Sequence, residues 1–346
     1  MSRYKLILML AAAMAAEAGA AAQAPKIRKP RPAPPGPVAM PPLPPAVLDD
    51  TLAIGGDDVK ARKVETRLTV EVHVNGRGPY HFLVDSGADT SAVSIGIARN
   101  LQLPLGTPVT LNGMTERSIV DRVRVASLRV GPSIVTDLHL PALREEDVGA
   151  QGVIGIDALV RRRLMMDFDK RIIKVEDAIK PPKSEPGEIV IIAKRRRGQL
   201  ILTEVKAGDI RLDAVIDTGS DFTIGNLLLR DRLLKRGTRF EPVEAIGVTG
   251  KKVTLQVARI PRLQIGRLLV RNLLVAFADL PPFEVFGLSD EPALLLGTDL
   301  LKTFRRVSLD FHARKVRFQP RGCAGDRYII RTSNFPRSAA SDDCAR

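Results

Sequence analysis

Hydrophobic and polar positions follow the same order in two stretches of this chain, which predicts a duplicated and strand-rich fold. In the first stretch, alternating residues lead to a turn at Gly76, and an apolar run then continues to residue 84. In the second stretch, the turn falls at Gly208 and the apolar run continues to residue 216. A strand, a glycine turn and a second strand are typical of a β-hairpin, so each copy is predicted to begin with one.

The correspondence between the two copies continues downstream. Residues 128–131 (Leu-Arg-Val-Gly) match residues 263–266 (Leu-Gln-Ile-Gly), and alternating apolar residues flank both segments. Residues 153–159 match residues 295–301, and in each of these segments two apolar residues precede a glycine. Each copy then ends in two short runs of strand-like sequence. The repeat therefore covers most of the chain rather than one motif.

The pattern predicts an all-β protein made of two pseudo-symmetric lobes with short helices. The first lobe is predicted to span residues 51–180 and the second to span residues 188–321, with prolines marking the boundary between them. Short helices are predicted at residues 95–101 and 226–235, and again after the glycine of each apolar-apolar-Gly segment.

Each apolar run of the two hairpins stops at an Asp-Ser/Thr-Gly triplet, residues 85–87 and residues 217–219. A single triplet of this kind is weak evidence, because Asp, Ser and Gly also form ordinary turns. Two triplets at equivalent places of two repeats are much more specific. On these residues the chain resembles the retropepsin-like aspartic proteases of retroviruses and bacteria, over roughly residues 65 to 320.

The resemblance implies a fold and a catalytic pair. It implies two closed, six-stranded, barrel-like lobes, with Asp85 and Asp217 meeting at the pseudo-twofold axis as the catalytic residues. It also implies that the Ser86 and Thr218 hydroxyls cross-link the two loops, although turn stabilisation is an alternative role for them. Gly87 and Gly219 allow the tight backbone turn that brings amide N–H groups toward the carboxylates.

Two carboxylates about 3 Å apart cannot both ionise, so such a pair shares one proton. The ionised partner acts as a general base on water, and the protonated partner donates a hydrogen bond to the peptide carbonyl. Ala88 has no side-chain donor for Asp85, whereas the Ser220 hydroxyl could donate to Asp217. We therefore expect Asp217 to be the more readily ionised partner and Asp85 to carry the proton.

Candidate substrate-covering flaps are predicted at two glycine-containing turns, around Gly113 and Gly247. The first lobe of single-chain pepsins carries a flap tyrosine, but Tyr4, Tyr80 and Tyr328 do not lie in a plausible flap segment. Together with the short lobes, this favours a fused pair of retropepsin-like lobes over a pepsin.

The N-terminal residues predict export. Arg3 and Lys5 precede an apolar run and then small residues, which is typical of a signal peptide over residues 1–22. An uncleaved membrane anchor is the alternative. Residues 23–50 contain ten prolines, so this segment is predicted to be an extended linker, with a pro-segment as the alternative.

The two cysteines, Cys323 and Cys344, both lie in the C-terminal tail, residues 322–346. In an oxidising compartment we expect them to form one disulfide that stabilises the tail by about 3 kcal/mol. Neither the cysteines nor the four scattered histidines have the spacing of a metal site, so we expect no metal and no cofactor.

The 346-residue chain has a formal net charge of +14. Nucleic-acid binding is not expected, because aromatic residues that could stack on bases make up only 4% of the chain. The basic runs at residues 161–163 and 194–197 are predicted to be solvated edges or turns, with contact to an anionic envelope surface as the alternative.

The sequence therefore predicts an exported aspartic endopeptidase, periplasmic or envelope-associated in a bacterium, that acts on a peptide or protein substrate. We expect a monomeric pseudo-dimer, since both aspartates belong to one chain. The alternative is a peptide-binding module of the same fold that has lost catalytic activity.

Overall fold

Most of the described chain consists of β-strands in which buried and exposed residues alternate. The computed structural model describes residues 24–34, 58–60, 62–64, 67–131, 133–159, 162–177, 187–196, 198–235, 237–321 and 328–331. The strands of its first half are β1 (Arg31–Pro32), β2 (Asp58–Lys60), β3 (Arg62–Val64), β4 (Arg67–Val74), β5 (Arg77–Val84), β6 (Ala92–Ser94), β7 (Val109–Asn112), β8 (Arg117–Val120), β9 (Arg122–Val130), β10 (Ser133–Leu143), β11 (Gly152–Ile154), β12 (Arg162–Asp167) and β13 (Ile172–Asp177).

The second half repeats this arrangement. Its strands are β14 (Ile189–Ile192), β15 (Lys194–Arg196), β16 (Gln199–Ala207), β17 (Ile210–Ile216), β18 (Ile224–Gly225), β19 (Glu241–Ile246), β20 (Lys252–Ile265), β21 (Leu268–Phe277), β22 (Ala293–Leu296), β23 (Arg306–Asp310), β24 (Lys315–Gln319) and β25 (Tyr328–Arg331).

The helices are short, as the sequence predicted. They are α1 (Ile95–Asn100), α2 (Glu145–Val148), α3 (Leu227–Leu233), α4 (Pro281–Val285) and α5 (Thr298–Leu301), with a 3₁₀ turn at Ile156–Ala158. α1 begins where the Ser94 hydroxyl accepts a hydrogen bond from a backbone N–H, and Asn226 caps α3 in the same way. None of the helices among the described residues is long and apolar enough to span a membrane.

Six strands close into a barrel in each lobe. In the first lobe the order is β4-β5-β11-β6-β10-β9, and β9 pairs back to β4. In the second lobe the order is β16-β17-β22-β18-β21-β20, and β20 pairs back to β16. The hairpin turns at Gly76 (φ 74°) and Gly208 (φ 59°) have left-handed backbones that favour glycine. The predicted all-β fold with two closed six-stranded lobes is confirmed.

A separate six-stranded sheet joins the two lobes, in the order β14-β24-β23-β12-β13-β2. Its centre is the antiparallel pair β12–β23, one strand from each repeat, so an approximate twofold axis passes between these strands. Here Arg163 lies opposite Asp310, and its Nη2 atom lies 3.0 Å from Asp310 Oδ2. Arg163 is only 3% exposed, so the prediction that residues 161–163 form a solvated edge is wrong at this position. Burial is tolerated because the charge is paired.

Several predicted features lie outside the described residues. These are the signal peptide at residues 1–22, Cys323 and Cys344 with the predicted disulfide, and most of the boundary between the lobes. Part of the predicted linker, residues 24–34, is described, and it lies against the first lobe.

Candidate active site

Each candidate aspartate immediately follows the buried end of a strand. Asp85 follows β5 and its backbone N–H donates to the Ile154 carbonyl at 2.9 Å, while Asp217 follows β17 and donates to the Leu296 carbonyl at 3.0 Å. β11 and β22, which carry these carbonyls, run parallel to β5 and β17. The apolar-apolar-Gly segments of the sequence therefore fix the ends of the strands that carry the two aspartates.

The two loops are cross-linked by reciprocal hydrogen bonds. The Ser86 hydroxyl donates to the Ile216 carbonyl at 2.8 Å, and the Thr218 hydroxyl donates to the Val84 carbonyl at 2.8 Å. Each hydroxyl also accepts from the other loop, with Ser86 N–H to Thr218 Oγ1 at 2.9 Å and Thr218 N–H to Ser86 Oγ at 3.2 Å. Both side chains are buried, so these bonds satisfy groups that water cannot reach.

Glycine is required next to both aspartates because each carboxyl lies against the opposite loop. A Cβ atom on Gly87 would lie 2.8 Å from Asp217 Cγ, and a Cβ atom on Gly219 would overlap the Asp85 carboxyl. The two carboxyls therefore reach across the pseudo-twofold axis, and any side chain at either glycine would push one of them away.

The two carboxyls are held by backbone donors and are hydrogen-bonded to each other. Asp85 Oδ1 accepts from the N–H groups of Gly87 (2.8 Å) and Ala88 (3.1 Å). Asp217 Oδ1 accepts from Gly219 (3.0 Å) and from the residue that follows it (3.2 Å). Asp217 is also hydrogen-bonded to the Asp85 carboxyl. The fold thus brings together two carboxyls that are 132 positions apart in the sequence.

Burial, and then the neighbouring charge of Asp85, together raise the pKa of Asp217 to about 8. The backbone N–H donors oppose this rise in pKa but do not cancel it. The pair therefore retains one proton at neutral pH, because two ionised carboxylates within hydrogen-bonding reach of each other would repel in a buried site.

The structure removes the basis for the expected division of roles between the two aspartates. The Ser220 hydroxyl donates to the Phe222 carbonyl at 2.8 Å, and only its backbone N–H donates to Asp217. The Ala88/Ser220 difference therefore does not distinguish the two carboxyls. The two carboxyls differ in burial instead, because Asp217 is only 6% exposed whereas Asp85 is half-buried. Burial raises the pKa of Asp217, which favours the shared proton on this carboxyl.

Two further aspartates, both half-buried, are hydrogen-bonded to the segments that follow the Asp-Ser/Thr-Gly loops, and sequence reasoning assigned them no role. The Ser91 hydroxyl donates to Asp157 at 2.6 Å and accepts from the Gly155 N–H at 3.0 Å. In the second lobe the Thr223 hydroxyl donates to Asp299 at 2.8 Å. Burial raises the pKa of both aspartates. Their signal in the sequence was an Asp two positions after the glycine of each apolar-apolar-Gly segment.

The predicted flaps are the hairpins β7–β8, with Gly113 at its tip, and β19–β20, with Gly247 at its tip. The two tips contact each other: Gly247 lies against Thr115, and the Thr249 hydroxyl donates to Glu116 Oε1 at 2.9 Å.

The two hairpins also exchange apolar side chains. Met114 of the first hairpin packs against the apolar cluster of the second lobe, around Phe283. Val248 of the second hairpin packs in the cluster of the first lobe that includes Ala88, three positions after Asp85. Both hairpin tips are therefore held in contact with the opposite lobe.

Comparison with protein families gives two matches along the chain. Residues 70–161 match the family model of the gag-polyprotein aspartyl protease, and residues 203–300 match the family model named aspartyl protease. The first match includes Asp85 and the second includes Asp217. A search of curated proteins found no match. The chain therefore belongs to the retropepsin-like aspartyl proteases and contains two such domains in tandem.

Proposed function

We propose that this chain is an aspartic endopeptidase that hydrolyses peptide bonds with the Asp85–Asp217 pair and one water molecule. The observation that carries the proposal is the hydrogen bond between the two carboxyls, together with the raised pKa of the more buried Asp217. A pair that retains one proton presents a general base and a general acid side by side, which amide hydrolysis requires.

The residues support a two-step reaction. In the first step, the Asp85 carboxylate takes a proton from water while the water oxygen bonds to the peptide carbonyl carbon, and Asp217 protonates the carbonyl oxygen. In the second step, Asp217 takes a proton from one hydroxyl of the resulting diol, Asp85 protonates the nitrogen, and the carbon–nitrogen bond breaks. The pair then returns to its starting protonation state, and no covalent enzyme intermediate forms.

The proposed substrate is a peptide or protein segment in extended conformation, held beneath the two hairpins as an added strand. One chain supplies both aspartates, which supports action as a monomer. Export to the periplasm or cell envelope is proposed from the signal-like residues 1–22, and contact with an anionic envelope surface from the net charge of +14. We propose no nucleic-acid partner.

The test is digestion of a mixed peptide library by the purified protein between pH 3 and pH 8. Asp85→Asn and Asp217→Asn should each abolish cleavage, whereas Asp209→Asn, at a fully exposed carboxylate, should cleave like the wild type. Peptide binding without cleavage by the wild type would instead support the inactive peptide-binding module. Cleavage that survives both active-site substitutions would contradict the assignment of the dyad.

A further inference from the structure

The N-terminal segment Ala24–Pro34 is bound along the first flap. In this segment, which we call the strap, β1 pairs antiparallel with β8, and Ala33 N–H donates to the Arg117 carbonyl at 3.1 Å. The flap hairpin thus becomes a three-stranded sheet in the order β1-β8-β7. Prolines occupy every second position of the strap, residues 30, 32 and 34, so the missing N–H donors fall on the edge that faces away from β8.

The strap is anchored where the flap joins the barrel. Asp121 lies between β8 and β9 and is only 5% exposed. The Arg28 backbone N–H donates to Asp121 Oδ2 at 2.8 Å, and its guanidinium Nη2 donates to Oδ1 at 2.7 Å. Ile27, the preceding residue, is buried in the main apolar core. A carboxylate held by both backbone and guanidinium donors is a strong and geometrically specific contact.

Among the described residues, the second flap has no equivalent contact. In the described part of the chain, β19 is the last strand at its end of the second-lobe sheet and pairs only with β20. The two flaps therefore differ although their lobes are related by pseudo-symmetry. The first flap is held at its base by Arg28, along its outer strand by β1, and at its tip by Thr249 of the second flap.

We propose that the strap holds the first flap closed, and that Arg28 and Asp121 are positioning residues that set how often this flap opens for substrate or product. The two tips contact each other, and in this proposal they separate when a peptide reaches or leaves the dyad. The kinetic part of this inference rests on the proposed peptidase function, whereas the strap's effect on flap opening does not.

The test compares Arg28→Ala, Arg28→Lys and Lys29→Ala in the full chain. Lys29 is an exposed neighbour whose substitution removes the same charge. Arg28→Ala removes a hydrogen-bonded charge pair, and the energetic effect of this loss is reduced by solvent because the Arg28 side chain is 54% exposed. We therefore expect the open population of the flap to rise about tenfold. Hydrogen exchange at amides 109–120 measures this directly, and the steady-state kcat and KM measure its consequence.

In Arg28→Ala we expect faster exchange at residues 109–120, unchanged exchange in the second-lobe barrel, and a higher kcat with little change in KM. Arg28→Lys should be intermediate and Lys29→Ala should match the wild type. Unchanged hydrogen exchange at residues 109–120 would overturn the inference. So would exchange that accelerates equally throughout the first lobe. An unchanged kcat together with faster exchange at residues 109–120 would also overturn it. A wild type that cleaves no peptide would contradict the proposed function alone, since the exchange comparison decides the role of the strap independently.

Discussion

The substitution Asp217→Asn should change how the stability of the fold depends on pH. Burial and the Asp85 charge raise the pKa of Asp217 to about 8, whereas an aspartate in the unfolded chain titrates near 3.9. Between these values the folded state keeps a proton that the unfolded state has released. The free energy of unfolding must therefore fall as pH rises through this window. Asparagine carries no such proton and removes the dependence.

The magnitude follows from the two pKa values. Each pH unit between them costs the wild type up to about 1.4 kcal/mol of stability, so the total approaches 5 kcal/mol between pH 4 and pH 8. Asp217 is buried, so little of this effect is lost to solvent screening. Asp217→Asn should thus become progressively more stable than the wild type as pH rises, with the largest difference near pH 8.

The assay is urea unfolding of wild type and variant at closely spaced pH values from 4 to 9, analysed as the difference between them. Taking the difference cancels the groups that titrate in both proteins. Asp209→Asn is the control, because that carboxylate is fully exposed and should give a flat difference. A flat difference for Asp217→Asn as well would show that the pair holds no shared proton and would refute the reasoning.

Three further results are expected. Thr218→Val leaves the buried Ser86 N–H without its acceptor, so urea unfolding should show a loss of about 1–3 kcal/mol, whereas Thr218→Ser should lose much less. Gly219→Ala should displace the Asp85 carboxyl and lower kcat about 100-fold with a smaller change in KM, and equal kcat would contradict the geometry. The pH–rate profile should fall as pH rises through about 8, because the pair then loses its shared proton, and constant activity from pH 7 to pH 10 would exclude that role.

Local sequence patterns were sufficient to predict the two lobes, and the resemblance of the two Asp-Ser/Thr-Gly triplets to the retropepsin-like proteases was needed to predict the dyad. Alternating residues and glycine turns specify hairpins, and the duplication places Asp85 and Asp217 at equivalent strand ends. Once two related lobes pack about a twofold axis, equivalent strand ends near that axis become neighbours. The predicted helices after each hairpin also follow from local signals, since Ser94 and Asn226 cap them.

The strap and Arg163 were not predictable in the same way. Residues 24–34 are rich in proline and charge, which indicates a linker when the segment is considered alone. Their docking depends on an acceptor, Asp121, more than 90 positions away. Arg163 belongs to a basic run that would be solvated on a single lobe, and its burial depends on Asp310 from the other repeat.

The sequence by itself determined the duplicated all-β fold, because strand periodicity, turn glycines and the repeat can be read along the chain, and the family resemblance of its two Asp-Ser/Thr-Gly triplets implied which two carboxyls meet. Only the tertiary structure decided how deeply each carboxyl is buried, where the Ser220 hydroxyl donates, and that the N-terminal segment lies along one flap. These features depend on burial and on partners far apart in the chain. Burial and long-range partners arise only when the lobes pack together.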